Sequence, residues 1–206
     1  MDRRTLLLHG SAFCIALGSI GLAAAREPVI GGPCDGCDWV FDGIPATLAS
    51  SARIAPPGAP GAPLVIEGVV RDRADKPVRN VVVYAYHTDD TGLYPPAANR
   101  HGRLRGWAVT DARGRYRFDT IRPRAYPAGG VPEHVHMHVI EPGAGTYYID
   151  ELRFEDDALI TAENRRTSER GGDGLVLPER RAGVWYARRD VALGRNIAGY
   201  PAARQS

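Results

Sequence analysis

Lysine is almost absent from this 206-residue chain: Lys76 is the only one, and the other basic residues are arginines. They are scattered among 24 acidic residues, give a net charge of +2, and form no basic stripe or block. That excludes the clustered cationic face a nucleic-acid partner requires. Cysteine is scarce as well, with three in all, too few for a disulfide-built scaffold. No apolar run reaches the roughly 20 residues of a membrane-spanning helix. Collagen and coiled-coil periodicities are missing too.

What the chain has in quantity is turn-forming residues, 24 Gly and 16 Pro, beside a hydrophobic content of 44%. One good core can form, and the length suits a single domain with extensions. Abundant Val and Tyr between the turns lean toward an all-β fold.

The first 25 residues read as a segment to be removed. Arg3-Arg4 precedes an apolar stretch from Phe13 to Leu22, and Ala23-Ala24-Ala25 ends it. This is the pattern of an export signal, with the paired arginines pointing to the twin-arginine type over an ordinary secretory signal. The expected mature chain starts at Arg26 and lies outside the cytoplasm, with no stable membrane span.

Residues 26–63 read as a Pro/Gly-rich arm. The run from Ala55 to Pro63 can be neither helix nor central strand, because proline fixes φ and lacks a donor. Signal removal leaves Cys34 and Cys37, a C-x-x-C pair. An oxidising compartment favours a structural disulfide; the other readings are a redox-active pair or half of a zinc site, which would need two further ligands. The arm precedes the core, so the pair is expected to stand apart from any chemistry.

The compact domain is expected over residues 64–206 as a succession of short strands. Leu64 to Arg71, Val78 to His87, Trp107 to Thr110, Arg115 to Ile121, His134 to Ile140, Glu151 to Phe154 and Trp185 to Leu193 carry the β-branched, aromatic and alternating patterns. Asp111 to Gly114 reads as a hairpin loop. Asp157 to Arg166 is the one plausible helix. Strands at this spacing argue for an antiparallel sandwich or barrel.

The chemistry concentrates between Tyr94 and His138. Five histidines lie beyond residue 25, and three occupy alternate positions in His134-Val135-His136-Met137-His138-Val139. On a strand these three share one face while the aliphatic residues enter the core. The arrangement suits a metal; the plain alternative is a polar face that happens to use histidine. Three imidazoles alone would suggest zinc or copper. Tyr94 and Tyr126, however, both adjoin proline in loops where a sandwich needs no aromatic. Phenolates are hard donors, and two of them with one hydroxide balance the charge of Fe(III). A trivalent ion can hold a phenol deprotonated far below its free pKa of about 10.

The chain resembles the intradiol ring-cleavage dioxygenases, the non-haem Fe(III) family of catechol and protocatechuate dioxygenases. The resemblance runs through Ile66-Glu67-Gly68-Val69-Val70, Tyr86-His87-Thr88-Asp89, Gly92-Leu93-Tyr94 and Leu104-Arg105-Gly106. It continues through Thr110-Asp111, Gly114 to Phe118, Thr120 to Pro123, Tyr126-Pro127, His134-Val135-His136 and Phe154 to Asp157. It implies a β-sandwich with few short helices and Fe(III) held by Tyr94, Tyr126, His134 and His136. Tyr94 resembles the equatorial tyrosine and Tyr126 the axial one that substrate displaces, which implies a catalytic role for Tyr126. His134 resembles the axial histidine and His136 the equatorial one; His138 falls outside the ligand pair. The implied substrates are a catechol and dioxygen, and the implied product is a cis,cis-muconate.

One departure stands out. Family members carry a longer loop before the first histidine, with an arginine where this chain has Val131. Arg105 and Arg124 are the candidate replacements for its charge. Two other readings stay beside the dioxygenase: a transthyretin-like binding module without catalysis, and a copper or zinc protein using the histidine strand.

Overall fold

The computed structural model describes residues 27–34, 36–166 and 169–202. The export-signal expectation falls on residues outside this set. Among the described residues no helix is long and apolar enough to cross a membrane.

Two sheets pack face to face. One has the order β1(Ser51–Arg53), β5(Arg115–Ile121), β2(Pro63–Arg71), β10(Val184–Arg188), β9(Glu179–Arg181), with β11(Val191–Ala192) also on β2. The other runs β4(Arg105–Val109), β3(Val82–Tyr86), β6(His134–Glu141), β7(Gly145–Phe154), β8(Leu175–Val176). The all-β reading holds. The central pairings β2–β5, β3–β4, β3–β6 and β6–β7 are antiparallel as expected, whereas β1–β5, β2–β10, β2–β11 and β7–β8 are parallel. Strands that arrive after long excursions are free to add in either direction, so alternation alone could not give their sense.

The core is built by period-two alternation. Val83 and Ala85 of β3, Val135, Met137 and Val139 of β6, and Ile66 and Phe118 of the facing sheet are all fully buried in one cluster. Two local expectations need correction. The Asp111 to Gly114 turn forms, with the Asp111 carboxylate accepting from the backbone N–H groups of Arg113 and Arg115. It does not close a hairpin, because β4 belongs to one sheet and β5 to the other; the turn is a corner between layers. Asp157 to Arg166 is a run of turns instead of a helix. There Asp157 and Asn164 accept from the N–H groups of Leu159 and Thr161, an alternative that competes with helical bonding.

The arm is itself structured. It carries a 3-10 turn at Cys37–Phe41, the one helical element among the described residues, and strand β1. The outer face of the β3–β6 sheet bears Val82, Tyr84, Tyr86, Trp107 and Ile140, which cannot be left in water. Val40 covers them, with Phe41, Ile44 and Leu48 packed around it. The Trp107 indole donates to the Val40 carbonyl at 2.7 Å, and Asn99 donates to the Asp42 carboxylate. The compact unit therefore begins well before Leu64. The Cys34–Cys37 disulfide is formed, with its Cα atoms 5.6 Å apart.

Candidate metal centre

The outer face of β6 is where the sequence expectations converge. His134, His136 and His138 project from it together, opposite the core-facing Val135, Met137 and Val139. A bulge between Val135 and Met137 interrupts the pairing with β7, and bulges re-aim side chains at such positions.

The two tyrosines reach this face from neighbouring loops. Asp89 shapes the first loop: its carboxylate accepts from the backbone of Thr91 and Leu93 and from the Thr91 hydroxyl. The second loop is tied to the first, since the Thr88 hydroxyl donates to the Arg124 carbonyl and the Arg124 N–H donates to the Asp89 carbonyl. Gly92 makes the approach possible. It sits at φ +81°, and a Cβ there would lie 2.2 Å from the Ala125 carbonyl oxygen. Arg122 anchors the far end, paired with Glu133 and Asp156 and stacked on Phe154 and Trp185.

Four donor atoms meet as a result. The Tyr94 and Tyr126 oxygens are 2.7 Å apart, and Tyr126 Oη lies 3.1 Å from His134 Nε2 and 3.4 Å from His136 Nε2. The two Nε2 atoms are 3.1 Å apart, and His136 Nε2 is 2.9 Å from Tyr94 Oη. Around an ion bonded at roughly 2.0–2.1 Å, adjacent ligands stand about 3 Å apart, so these spacings are those of a coordination shell.

The hydrogen bonds behind the rings set which nitrogen faces inward. His134 Nδ1–H donates to the Pro132 carbonyl at 2.8 Å. Tyr148 gives its own proton to Glu151 at 2.6 Å, so its oxygen accepts from His136 Nδ1–H at 3.0 Å. Both Nε2 lone pairs therefore point at the cluster, and a ring nitrogen oriented this way is the usual metal ligand. Burial, then the neighbouring His134, lowers the His136 pKa to about 3. Burial also raises both Tyr94, helped by its bond to Tyr126, and Tyr126 itself. The site thus disfavours a protonated imidazole, and only a strongly charged ion would draw the phenol protons off. Two hard oxygens and two imidazoles fit a hard trivalent iron. Sulfur-rich alternatives do not describe this donor set.

The cluster opens into a cavity of about 640 Å³. Tyr86 floors part of it, stacked between His101 at 3.8 Å and His136 at 4.5 Å. The cations in its wall are Arg100 and Arg170. Arg105 instead pairs with Asp42 and stacks on Trp107, and Arg124 lines a different depression. Neither sequence candidate for the missing charge lines the cavity. Val131 is 42% exposed and is not part of the wall.

The four donors expected from the sequence lie together, and three neighbours of theirs were not expected. Tyr148 and Glu151 orient His136, and the i, i+3 spacing of two polar residues on β7 was the one signal available. Cys34 is the third, and here the expectation is corrected: the disulfide does not stand apart. Cys34 Sγ forms part of the cavity wall, 3.5 Å from His138 Nε2.

The family described as "Dioxygenase" matches residues 46–181. This chain is an intradiol ring-cleaving dioxygenase family member. It is 32% identical over 130 residues to the protocatechuate 3,4-dioxygenase beta chain of Burkholderia cepacia, covering 56% of this chain and 55% of that one. It is 31% identical over 150 residues to catechol 1,2-dioxygenase 1 of Acinetobacter lwoffii, covering 59% and 48%. It thus spans about half the length of these relatives. Among solved structures, the dioxygenase domain of a carbohydrate-binding fusion protein from Streptomyces sp. SirexAA-E superposes with a TM-score of 0.57. The identity there is 24%, and 74% of this chain and 94% of that one are covered. Catechol 1,2-dioxygenase from Acinetobacter sp. ADP1 gives 0.59 at 22% identity, covering 71% and 57%. At these identities the structures speak for the shared intradiol fold alone.

Proposed function

We propose that this protein is an exported, non-haem Fe(III) intradiol dioxygenase, cleaving a catechol-type ring between its hydroxyl-bearing carbons with dioxygen to a cis,cis-muconate-type product. The observation that carries the reading is the meeting of Tyr94, Tyr126, His134 and His136 donor atoms at 2.7 to 3.4 Å. When bound, ferric iron supplies a Lewis acid that draws electron density from a catecholate and so opens its ring to dioxygen. The chain's residues do the rest. Pro132 and Tyr148 hold the Nδ1–H groups of His134 and His136, so both Nε2 atoms face the cluster. Tyr126, on a loop bounded by Pro123 and Pro127, can turn away as substrate enters and take a catechol proton on its oxygen.

Arg100 and Arg170 give the cavity wall positive charge, which suits the anionic substrate and product. Support for export comes from the Arg3-Arg4 and Ala23-Ala24-Ala25 pattern; N-terminal sequencing of exported protein beginning at Arg26 tests it. The catalytic reading is tested by oxygen uptake and product analysis with a panel of catechols. Consumption of one dioxygen per ring, with both atoms in a muconate, supports it. Full ferric occupancy without uptake on any catechol would favour the non-catalytic module.

A further inference from the structure

We propose that Cys34, Cys37 and His138 form a second metal site, distinct from the Tyr/His cluster, which takes a thiophilic divalent ion such as zinc when the disulfide is reduced. The three donor atoms already lie within 4.8 Å of one another. Sequence alone offered only the C-x-x-C half of such a site. The third ligand comes from 104 residues away, on β6.

His138 is the observation that points to a ligand. Its side chain is fully buried. Its Nδ1 has no hydrogen-bond partner among the described residues. Among the described residues its Nε2 meets only Cys34 Sγ, at 3.5 Å, and a disulfide sulfur carries no proton and accepts poorly. Buried polar groups are ordinarily satisfied, so an imidazole in this state calls for an explanation. For Nε2, the nitrogen that faces Cys34, the geometry supplies one. With zinc–sulfur bonds of about 2.3 Å and zinc–nitrogen bonds of about 2.0–2.1 Å, a tetrahedral shell puts sulfur and nitrogen roughly 3.5 Å apart.

Gly36, beside the pair, is closely packed. It sits at φ +88°, so close to His101 that a Cβ would lie 2.3 Å from the ring's Nε2. Val40 and Trp107 hold the other side of the turn.

A dithiol reductant gives two electrons and two protons to the Cys34–Cys37 bond, becoming a disulfide and leaving two thiols. Zinc(II) then binds both sulfurs and His138 Nε2, and the two thiol protons pass to solvent. The metal changes no oxidation state. Three protein ligands leave one tetrahedral position for water, and Cys34 opens onto the cavity.

The test compares the full mature protein in oxidised form and after anaerobic reduction by a phosphine, titrated with Zn(II) and separately with Co(II). The reduced form should bind one equivalent more zinc than the oxidised form. Cobalt should give thiolate charge-transfer absorption in the near ultraviolet, and zinc should protect both cysteines from alkylation. Cys34→Ser and His138→Gln should each lose the extra equivalent. Should either variant fail to fold, the oxidised and reduced wild-type titrations decide alone. Equal stoichiometry in both redox states, or an extra equivalent without thiolate absorption, would overturn the site. The Tyr/His cluster contains no sulfur, so this readout is independent of the iron assignment.

Discussion

His134 and His136 present their Nε2 atoms to each other at 3.1 Å while both Nδ1–H groups are already given to the Pro132 carbonyl and the Tyr148 oxygen. Two lone pairs so placed repel unless a phenol proton or a cation lies between them. Tyr126 and Tyr94 can donate to them, and an ion held under the proposed reading would take all four groups as ligands in place of those protons.

The orientation of His136 depends on Tyr148. Replacing Tyr148 with Phe removes the acceptor for His136 Nδ1–H and lets the ring rotate. Loss of such a supporting partner typically costs about 10–100-fold in metal affinity or activity. Competition with a chelator should show weaker metal retention in Tyr148→Phe, with the melting temperature little changed.

Tyr126 and Tyr94 should separate in their kinetics. Tyr126→Phe leaves three ligands and removes the group assigned to the catechol proton. Turnover should fall by roughly 10²-fold or more, the scale of a positioned acid–base group, while part of the metal is kept. Steady-state oxygen uptake normalised to metal content measures this.

Gly92→Ala tests how the two tyrosine loops meet. The added Cβ would sit 2.2 Å from the Ala125 oxygen, and alanine would be forced to φ +81°. Backbone strain of this kind costs about 1–3 kcal/mol. Because the displaced loops carry Tyr94 and Tyr126, metal content should fall along with thermal stability.

His87 gives a pH dependence of stability. The ring is fully buried, with Nδ1–H donating to the Thr88 carbonyl at 2.6 Å and Nε2 accepting from the Thr120 hydroxyl at 2.7 Å. Burial lowers its pKa from 6.5 to about 4. The unfolded chain therefore binds a proton between about pH 6.5 and 4 that the native state refuses, so stability falls as pH drops through that window. The loss approaches about 3 kcal/mol at its acid end, from about 1.4 kcal/mol per pH unit. Urea midpoints against pH should show the fall, and His87→Gln should flatten it.

The sequence carried the site better than the arm. Alternation made the His134/His136/His138 face readable, because a strand's period of two does not depend on distant residues. Tyr94 and Tyr126 were readable because proline neighbours placed them in loops. The separation of β4 from β5 was not, since a tight Asp111 to Gly114 turn serves a hairpin and a sheet-to-sheet corner equally well. The packing of the arm is not legible in the sequence, because its apolar residues, Val40, Phe41, Ile44 and Leu48, are too few and too irregular to show a period. Their purpose appears only when the exposed aromatic face of β3 and β4 is in place. Cys34 beside His138 was likewise out of reach, a contact across 104 residues with no local pattern.

The central claim is that Tyr94, Tyr126, His134 and His136 hold ferric iron, and one visible absorption spectrum with metal analysis of the protein as isolated tests it most directly. Tyrosinate bound to Fe(III) gives a ligand-to-metal charge-transfer colour that zinc cannot give. The expected result is a coloured protein with stoichiometric iron, whose band bleaches or shifts and whose iron content falls in Tyr94→Phe. A colourless native protein fully loaded with zinc at this cluster would contradict the assignment.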